Sequence, residues 1–212
     1  EVNTKEVTGL TFNSTGTRLY VAGSRGNDRI SEYSLSVGFD LSSTVTHLGF
    51  ISNHADGLGP HDPVRAETGG WRPQDIKFSN DGSKMFLPML AFTGGTTGVH
   101  QLDLSTPFDL STATSEYYFA PASVTSGNPT GIEFNDTGTK MFLTIGTEVK
   151  EYSLSSAFDL QSTVTLVRSV DLSAQTGGLY SLAFNDDGTI LFVVDRDSPH
   201  IDCDCRDIIY EY

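Results

Sequence analysis

Apolar and polar residues alternate with a period of two in short runs along this chain, and the runs recur. In Thr130-Gly131-Ile132-Glu133-Phe134, Ile132 and Phe134 alternate with polar neighbours, the pattern of a half-buried strand. Asn135 to Thr139 then reads as a tight turn, with Gly138 free to take the positive φ that a short hairpin needs, and Met141 to Leu143 starts the return strand. The chain writes this stretch four times, at 8–21, 74–87, 130–143 and 180–193. Its strand aromatic falls at Phe12, Phe78, Phe134 and Phe184, and its turn glycine at Gly16, Gly82, Gly138 and Gly188. Successive turn glycines lie 66, 56 and 50 residues apart. No helical period is visible.

Each copy continues into a third strand, read at 30–36, 99–105, 149–155 and 209–212. After the first three comes a second signature: Phe39-Asp40-Leu41-Ser42, Phe108-Asp109-Leu110-Ser111 and Phe158-Asp159-Leu160-Gln161. A fourth strand follows near Val45 to Ile51, Glu116 to Ala120 and Val164 to Val170. Repeated units of four antiparallel strands predict an all-β protein, a β-propeller of four-stranded antiparallel blades. A sheet with apolar residues on both faces cannot bury them alone, whereas sheets packed face to face around an axis bury them all. The expectation is one domain over 1–212, with blades at about 7–52, 73–120, 129–171 and 179–212. Residues 1–6 would close the last blade and make a ring of four. The alternative is part of a larger propeller.

The hairpin, a glycine or its equivalent before Leu or Ile, then Phe, a polar turn with Gly, and a return such as Lys140-Met141-Phe142, resembles the YVTN and lactonase-like propellers. The extension through Tyr33-Ser34-Leu35-Ser36 and Phe39-Asp40-Leu41-Ser42 is similar to propeller repeats in bacterial surface proteins and in structural proteins of marine phages. The resemblance covers nearly the whole chain. It implies an extracellular, cell-surface or virion-associated module for adhesion or structure, rather than an enzyme.

Charge narrows the partners. With 13 basic and 27 acidic residues the formal net charge is −14, which opposes a phosphate backbone, so no nucleic-acid partner is expected. The balance fits a soluble extracellular protein, or one that meets cations. No apolar run is long enough to span a bilayer, so no membrane insertion is expected. The chain opens at Glu1 without an initiator Met or an apolar leader, and reads as a processed or trimmed product. Cys203 and Cys205 are one residue apart and say little about redox compartment.

Strand alternation sorts the loops onto two faces. One carries the four hairpin turns and the Phe-Asp-Leu segments, which are short, similar and read as structural. The Asp-Gly pairs Asp81-Gly82 and Asp187-Gly188 serve the turns for backbone reasons. The opposite face receives two irregular insertions, at 52–72 and 195–207, and long loops on a rigid scaffold are where function is sought. The two are expected to share one rim of the ring. The first offers His54, Asp56, His61, Asp62, Glu67 and Trp71 as ligand-binding candidates, with Asp75 just beyond. A Trp face ringed by carboxylates suits a glycan; equally, Trp71 would plug a blade interface.

The second insertion concentrates Asp195, Asp197, His200, Asp202, Cys203, Asp204, Cys205 and Asp207. Carboxylates suit Ca²⁺, and His with Cys suits Zn²⁺, but neither spacing is clean. A solvated acidic loop paired with Arg196 and Arg206 is the alternative. Of the two cations, Ca²⁺ is the one these residues put ahead. At the inner-strand positions where a lactonase-type site would take its ligands, the chain has Gly9, Asp75, Gly131 and Ser181. One carboxylate of four does not hold a metal. No Gly-x-Ser-x-Gly elbow or zinc-protease motif is present, so no catalytic residue is assigned and the chain is not expected to be an enzyme. The expected function is a binding or structural module that contacts glycan, a surface protein or copies of itself through the insertion face. A metal-dependent, lactonase-like hydrolase is the alternative.

Overall fold

The computed structural model describes residues 6–24, 28–52, 71–91, 97–121, 127–195 and 209–212. The chain divides into two compact units, Glu1–Phe119 and Ala120–Tyr212, each built on two antiparallel sheets. In the first unit, sheet 1 runs in the order β1 (Glu6–Phe12), β2 (Arg18–Ser24), β3 (Arg29–Leu35) and β4 (Val45–Ser52). Sheet 2 holds β5 (Trp71–Pro73) and β6 (Lys77–Phe78), both paired with β7 (Lys84–Ala91), then β8 (Gly98–Leu104) and β9 (Ala113–Phe119). In the second unit, sheet 3 orders β10 (Pro129–Phe134), β11 (Lys140–Ile145), β12 (Glu148–Leu154) and β13 (Val164–Asp171). Sheet 4 contains β14 (Leu179–Phe184), β15 (Leu191–Asp195) and β16 (Ile209–Glu211) among the described residues.

The repeat dictates one hairpin four times. The closing pairs are Phe12 with Leu19, Phe78 with Met85, Phe134 with Met141 and Phe184 with Leu191. In each turn the glycine donates its N–H to the carbonyl three residues back, at 2.8–3.0 Å, with φ between +67° and +71°. The Asn13, Asn135 and Asn185 side-chain oxygens accept the N–H of the residue five positions on, Arg18 and Lys140 at the start of their return strands and Ile190 just ahead of its own. In sheet 2 the Ser79 hydroxyl takes that place for Lys84, and Asp81 bonds Ser83, so its carboxylate serves the turn as expected.

The inner strands share a second irregularity. The ladder skips Thr8, Thr130 and Tyr180, and in sheet 2 the strand breaks between Pro73 and Lys77. There Gln74 donates its N–H to the Pro88 carbonyl and the Asp75 carboxylate turns back to the Ile76 N–H at 2.8 Å. The skipped threonines bond the neighbouring sheet: Thr8 Oγ1 donates to Pro73 and Thr130 Oγ1 to Leu179. Just beyond, the inner strands come so close that a Cβ on Gly9 would lie 2.8 Å from Asp75 Cα, and one on Gly131 2.8 Å from Ser181 Cα. The glycines at these positions are therefore packing requirements.

Burial is graded across each sheet. The third strands β3, β8 and β12 are buried on both faces through their middles, whereas β13 is exposed along seven of its eight residues. The core of the first unit joins Tyr20, Ile30 and Ile51 to Ile76, Met85, Leu87 and Leu102. That of the second joins Val149 and Leu172 to Leu179, Leu182 and Val193.

The structure moves several expected boundaries. The third strands start and end one residue early, because Ser36, Ser105 and Ser155 belong to the next turn. Strand β9 starts at Ala113, ahead of the expected Glu116, directly after a 3₁₀ turn at Leu110–Thr112 that Asp109 caps by accepting the Ser111 N–H. Glu6, expected to help close the last blade, pairs with Ser24 in sheet 1; residues 1–5 lie outside the described residues.

Candidate functional site

The Phe-Asp-Leu segments show what the hairpin glycine is for. Phe39, Phe108 and Phe158 all take a left-handed backbone, at φ 58°, 61° and 50°, which a bulky residue rarely adopts. Each donates its N–H to the glycine carbonyl of its own hairpin, Gly16, Gly82 or Gly138, at 2.9–3.0 Å. Its ring then lies over that glycine, where an added Cβ would fall 2.1–2.3 Å from the ring carbons. The ring also packs against the hairpin aromatic, with centroids 5.3, 5.3 and 5.2 Å from Phe12, Phe78 and Phe134. The following aspartate folds back onto the N–H two residues on, at 2.9–3.0 Å. These bonds hold the Asp40 carboxyl below its ordinary value, Ser42 supplying the cause from its hydroxyl and its N–H.

In the first unit this segment is also clasped by the preceding sheet. Tyr20 donates its hydroxyl to the Phe108 carbonyl, which also lies 3.5 Å from Arg18 Nη1. Burial pushes the Tyr20 hydroxyl pKa up. Glu32, 4% exposed, pairs with Arg18 and accepts the Leu110 N–H at 3.2 Å. Leu110 is in consequence only 3% exposed. The segment thus fills a seat between two sheets, made of an aromatic pair (Tyr20 and Phe78, centroids 4.6 Å apart), a cation and a buried carboxylate.

Sheets 3 and 4 build the same seat, and among the described residues nothing fills it. Phe142 stands where Tyr20 does, Phe184 where Phe78 does, with centroids 4.8 Å apart. Lys140 replaces Arg18, and Glu151 replaces Glu32. Gly188 takes the place of Gly82 at φ 69°, but among the described residues nothing lies within 4 Å of a Cβ built on it. Gly16, Gly82 and Gly138 are buried, and Gly188 is exposed. The sequence holds three Phe-Asp-Leu segments, and each is seated on its own hairpin. What remains is a cleft of about 320 Å³, floored by Phe134, Phe142 and Phe184 and rimmed by the turns at 135–137 and 185–188.

The electrostatics of the cleft are mixed. Lys140 Nζ lies 2.9 Å from the Glu151 carboxylate, which Arg168 also contacts. Burial raises the Glu151 pKa, but the bonds from Lys140 and Arg168 outweigh it and leave the carboxyl below its ordinary value. Asp187 is held low by the Thr189 hydroxyl and N–H. The cleft therefore presents aromatic faces, one ammonium and an acidic rim.

Most residues singled out in the sequence are not among those described. His54, Asp56, His61, Asp62 and Glu67, and Asp197, His200, Asp202, Cys203, Asp204, Cys205 and Asp207, lie outside the described residues, as does the rim expected to join the two insertions. Trp71 pairs through its backbone with Ala91, and its side chain is outside the description. Asp75 sits half-buried at the inner-strand break, against Gly9. Asp195 is buried at the end of β15 and accepts the Thr176 hydroxyl. Among the described residues no three His, Cys, Asp or Glu side chains gather to hold a metal. The turn face, expected to be structural, carries the cleft. The sequence does hold a signal for it: four turn glycines for three Phe-Asp-Leu segments.

No family model matches this sequence, and no curated protein matches it. Solved structures do match its fold. A Bacteroides fragilis protein provisionally named a 6-phosphogluconolactonase aligns with 100% of this chain at a TM-score of 0.56 and 10% identity; the chain spans 68% of it. The periplasmic gluconolactonase of Pseudomonas aeruginosa aligns with 99% of the chain at a TM-score of 0.54 and 14% identity, the chain spanning 72% of it. A chain of a nidogen/laminin complex aligns with 90% at a TM-score of 0.53 and 15% identity, of which this chain spans 57%. At such identities the likeness is one of fold: the four-stranded sheets are β-propeller blades, similar to those of lactonase-like propellers. One expectation is corrected by it. A single inner-strand carboxylate and the lack of a catalytic motif point away from an enzyme, yet structures of this fold are named lactonases. A propeller site is assembled from strand ends and loops of several blades, so a short sequence window does not reveal it and the exclusion does not stand.

Proposed function

We propose that this chain is a binding module that takes a segment of a protein partner into the cleft between the hairpins of sheets 3 and 4. The observation that carries the reading is Gly188, exposed and with no described atom within 4 Å of a built Cβ, set against three covered counterparts. An aromatic floor with a bonding rim is a surface that anchors an extended segment by one or two buried side chains. An extracellular, cell-surface or virion setting, suited to the acidic composition, belongs to the same proposal.

The test is selection of peptides from a random library on the immobilised chain, repeated on Asp186→Trp. Asp186 is an exposed residue on the cleft rim, so the indole fills the cleft at an exposed position. Peptides enriched on the chain should lose at least about tenfold in affinity for the variant, the loss of one anchored side chain. Equal binding to both would overturn the reading.

A second reading, a lactonase-like hydrolase, is favoured by the names of the structures that align with the whole chain. Asp75 is the inner-strand carboxylate such a site would use. A panel of lactones, with Asp75→Asn as control, tests it: turnover that this substitution leaves unchanged counts against Asp75, and no turnover of any lactone counts against the reading.

A further inference from the structure

Beside Glu32 the first unit has a cavity of about 380 Å³, lined by none of the residues of the cleft described above. Its walls are β4 of sheet 1, from Leu48 to Ile51, and the Asp109 to Ser111 segment of sheet 2; Arg18 and Glu32 complete it. We infer that this cavity binds a guanidinium on an alkyl stem, such as an arginine side chain or a small alkylguanidine, in the place that Arg168 holds in sheet 3.

The place is read from strand register. Glu32 stands across from Gly49 and Glu151 across from Arg168, each pair next to the same irregularity in the outer strand. In sheet 3 the buried Glu151 holds two cations, Lys140 and Arg168, the latter donating from Nε to Oε2. In sheet 1 the buried Glu32 holds Arg18 on Oε1. Its Oε2 accepts the Leu110 N–H at 3.2 Å, and a carboxylate oxygen has a second lone pair to offer. Gly49 brings no side chain to the cavity, and among the described residues nothing lies within 4 Å of a Cβ built on it. In sheet 2 the corresponding third-strand residue is the neutral Gln101, and across from it stands Tyr117 rather than a cation.

The charge balance points to the same class of ligand. The cavity sets two carboxylates, Glu32 and Asp109, against one guanidinium, that of Arg18. Both bonds that Ser111 donates, from its N–H at 3.0 Å and its hydroxyl at 2.6 Å, fall on Asp109 Oδ1, which keeps Oδ2 for a ligand. One further positive charge balances the site, and a planar guanidinium suits a carboxylate better than a point charge does. A divalent metal is disfavoured, since Arg18 already sits on Glu32 and Ca²⁺ asks for about six to eight oxygens. Leu48, half exposed on the outer strand, offers the alkyl stem an apolar contact.

The experiment is isothermal titration calorimetry of the full chain with Nα-acetylarginine methylamide and with its uncharged citrulline counterpart. Saturable binding of the arginine derivative is expected, with the citrulline derivative at least about tenfold weaker for want of a charge-assisted bond. Gly49→Arg gives the chain its own cation at the site. The Gly49 backbone is not left-handed, so a side chain is tolerated there. In this variant affinity should fall at least about tenfold while the melting temperature does not drop. Ethylguanidine and the peptide Gly-Gly-Arg-Gly-Gly carry the same group and separate its sources. Equal affinity for the two supports a small-molecule ligand, and a peptide at least about tenfold tighter supports an arginine of a protein partner. Equal binding of the arginine and citrulline derivatives, binding that Gly49→Arg leaves unchanged, or no binding of any guanidinium would overturn the inference.

Discussion

Gly138 and Gly188 occupy the same turn position in the same unit, yet they should respond very differently to alanine. Both sit at positive φ, 67° and 69°, so both substitutions meet the steric cost of a left-handed alanine, about 1 kcal/mol. At Gly188 the cost stops there, because nothing described lies within 4 Å of the new methyl. At Gly138 the methyl would fall 2.1 Å from Phe158 Cδ2 and 2.2 Å from Cε2. The ring has to leave its place, and with it the contact to Phe134 at 5.2 Å and the Phe158 N–H bond to Gly138. Overpacking of this kind costs about 1–3 kcal/mol more. Urea unfolding of the two variants, followed by near-ultraviolet circular dichroism, should place Gly138→Ala below Gly188→Ala by about 1–3 kcal/mol. The double variant Gly138→Ala/Phe158→Ala should recover part of the loss, because the clash is gone. Equal destabilisation of the two single variants would refute the argument that the ring, and not the backbone alone, demands glycine.

Two further outcomes follow from the clasp around these segments. Tyr20→Phe removes the hydroxyl bonded to the Phe108 carbonyl and should cost the first unit about 1 kcal/mol in the same denaturation assay. Glu151 has a depressed folded-state pKa, so its contribution is present above the ordinary glutamate range and is lost as pH falls through the lower folded value. Stability measured from about pH 6 down through the acid range, pH ~4.5 and below, should therefore fall less steeply for Glu151→Gln than for the parent chain. A steeper fall in the variant would contradict the sign.

The repeat was legible because hairpins are local. Phe12, Phe78, Phe134 and Phe184 with their turn glycines announce strand, turn and strand within a short window, and the structure pairs them so. What depended on contacts distant in sequence was harder to read. The break at Gln74–Ile76 comes from Asp75 bonding its neighbour and from Gln74 reaching Pro88, neither of which alternation reports. The left-handed Phe39, Phe108 and Phe158 run against local preference, which would put glycine there, and are held by a ring seat whose parts lie on other strands. The cleft was hidden for a similar reason. A sequence shows the residues that form a seat and the residues that fill it, but only the packed sheets show that Gly82 is covered by Phe108 and Gly188 by nothing described. Glu32 and Glu151 read as ordinary polar positions of a strand until their partners Arg18, Lys140, Arg168 and the Leu110 N–H are seen.

The central claim, that an occupied seat and an open one coexist among the described residues, is tested most directly by amide NMR of the chain titrated with a peptide selected on the immobilised chain. The account predicts saturable shifts at Gly188, Phe184 and Lys140, with Gly16, Gly82 and Gly138 unmoved. Shifts spread equally over all four turn glycines, or none at Gly188, would contradict it.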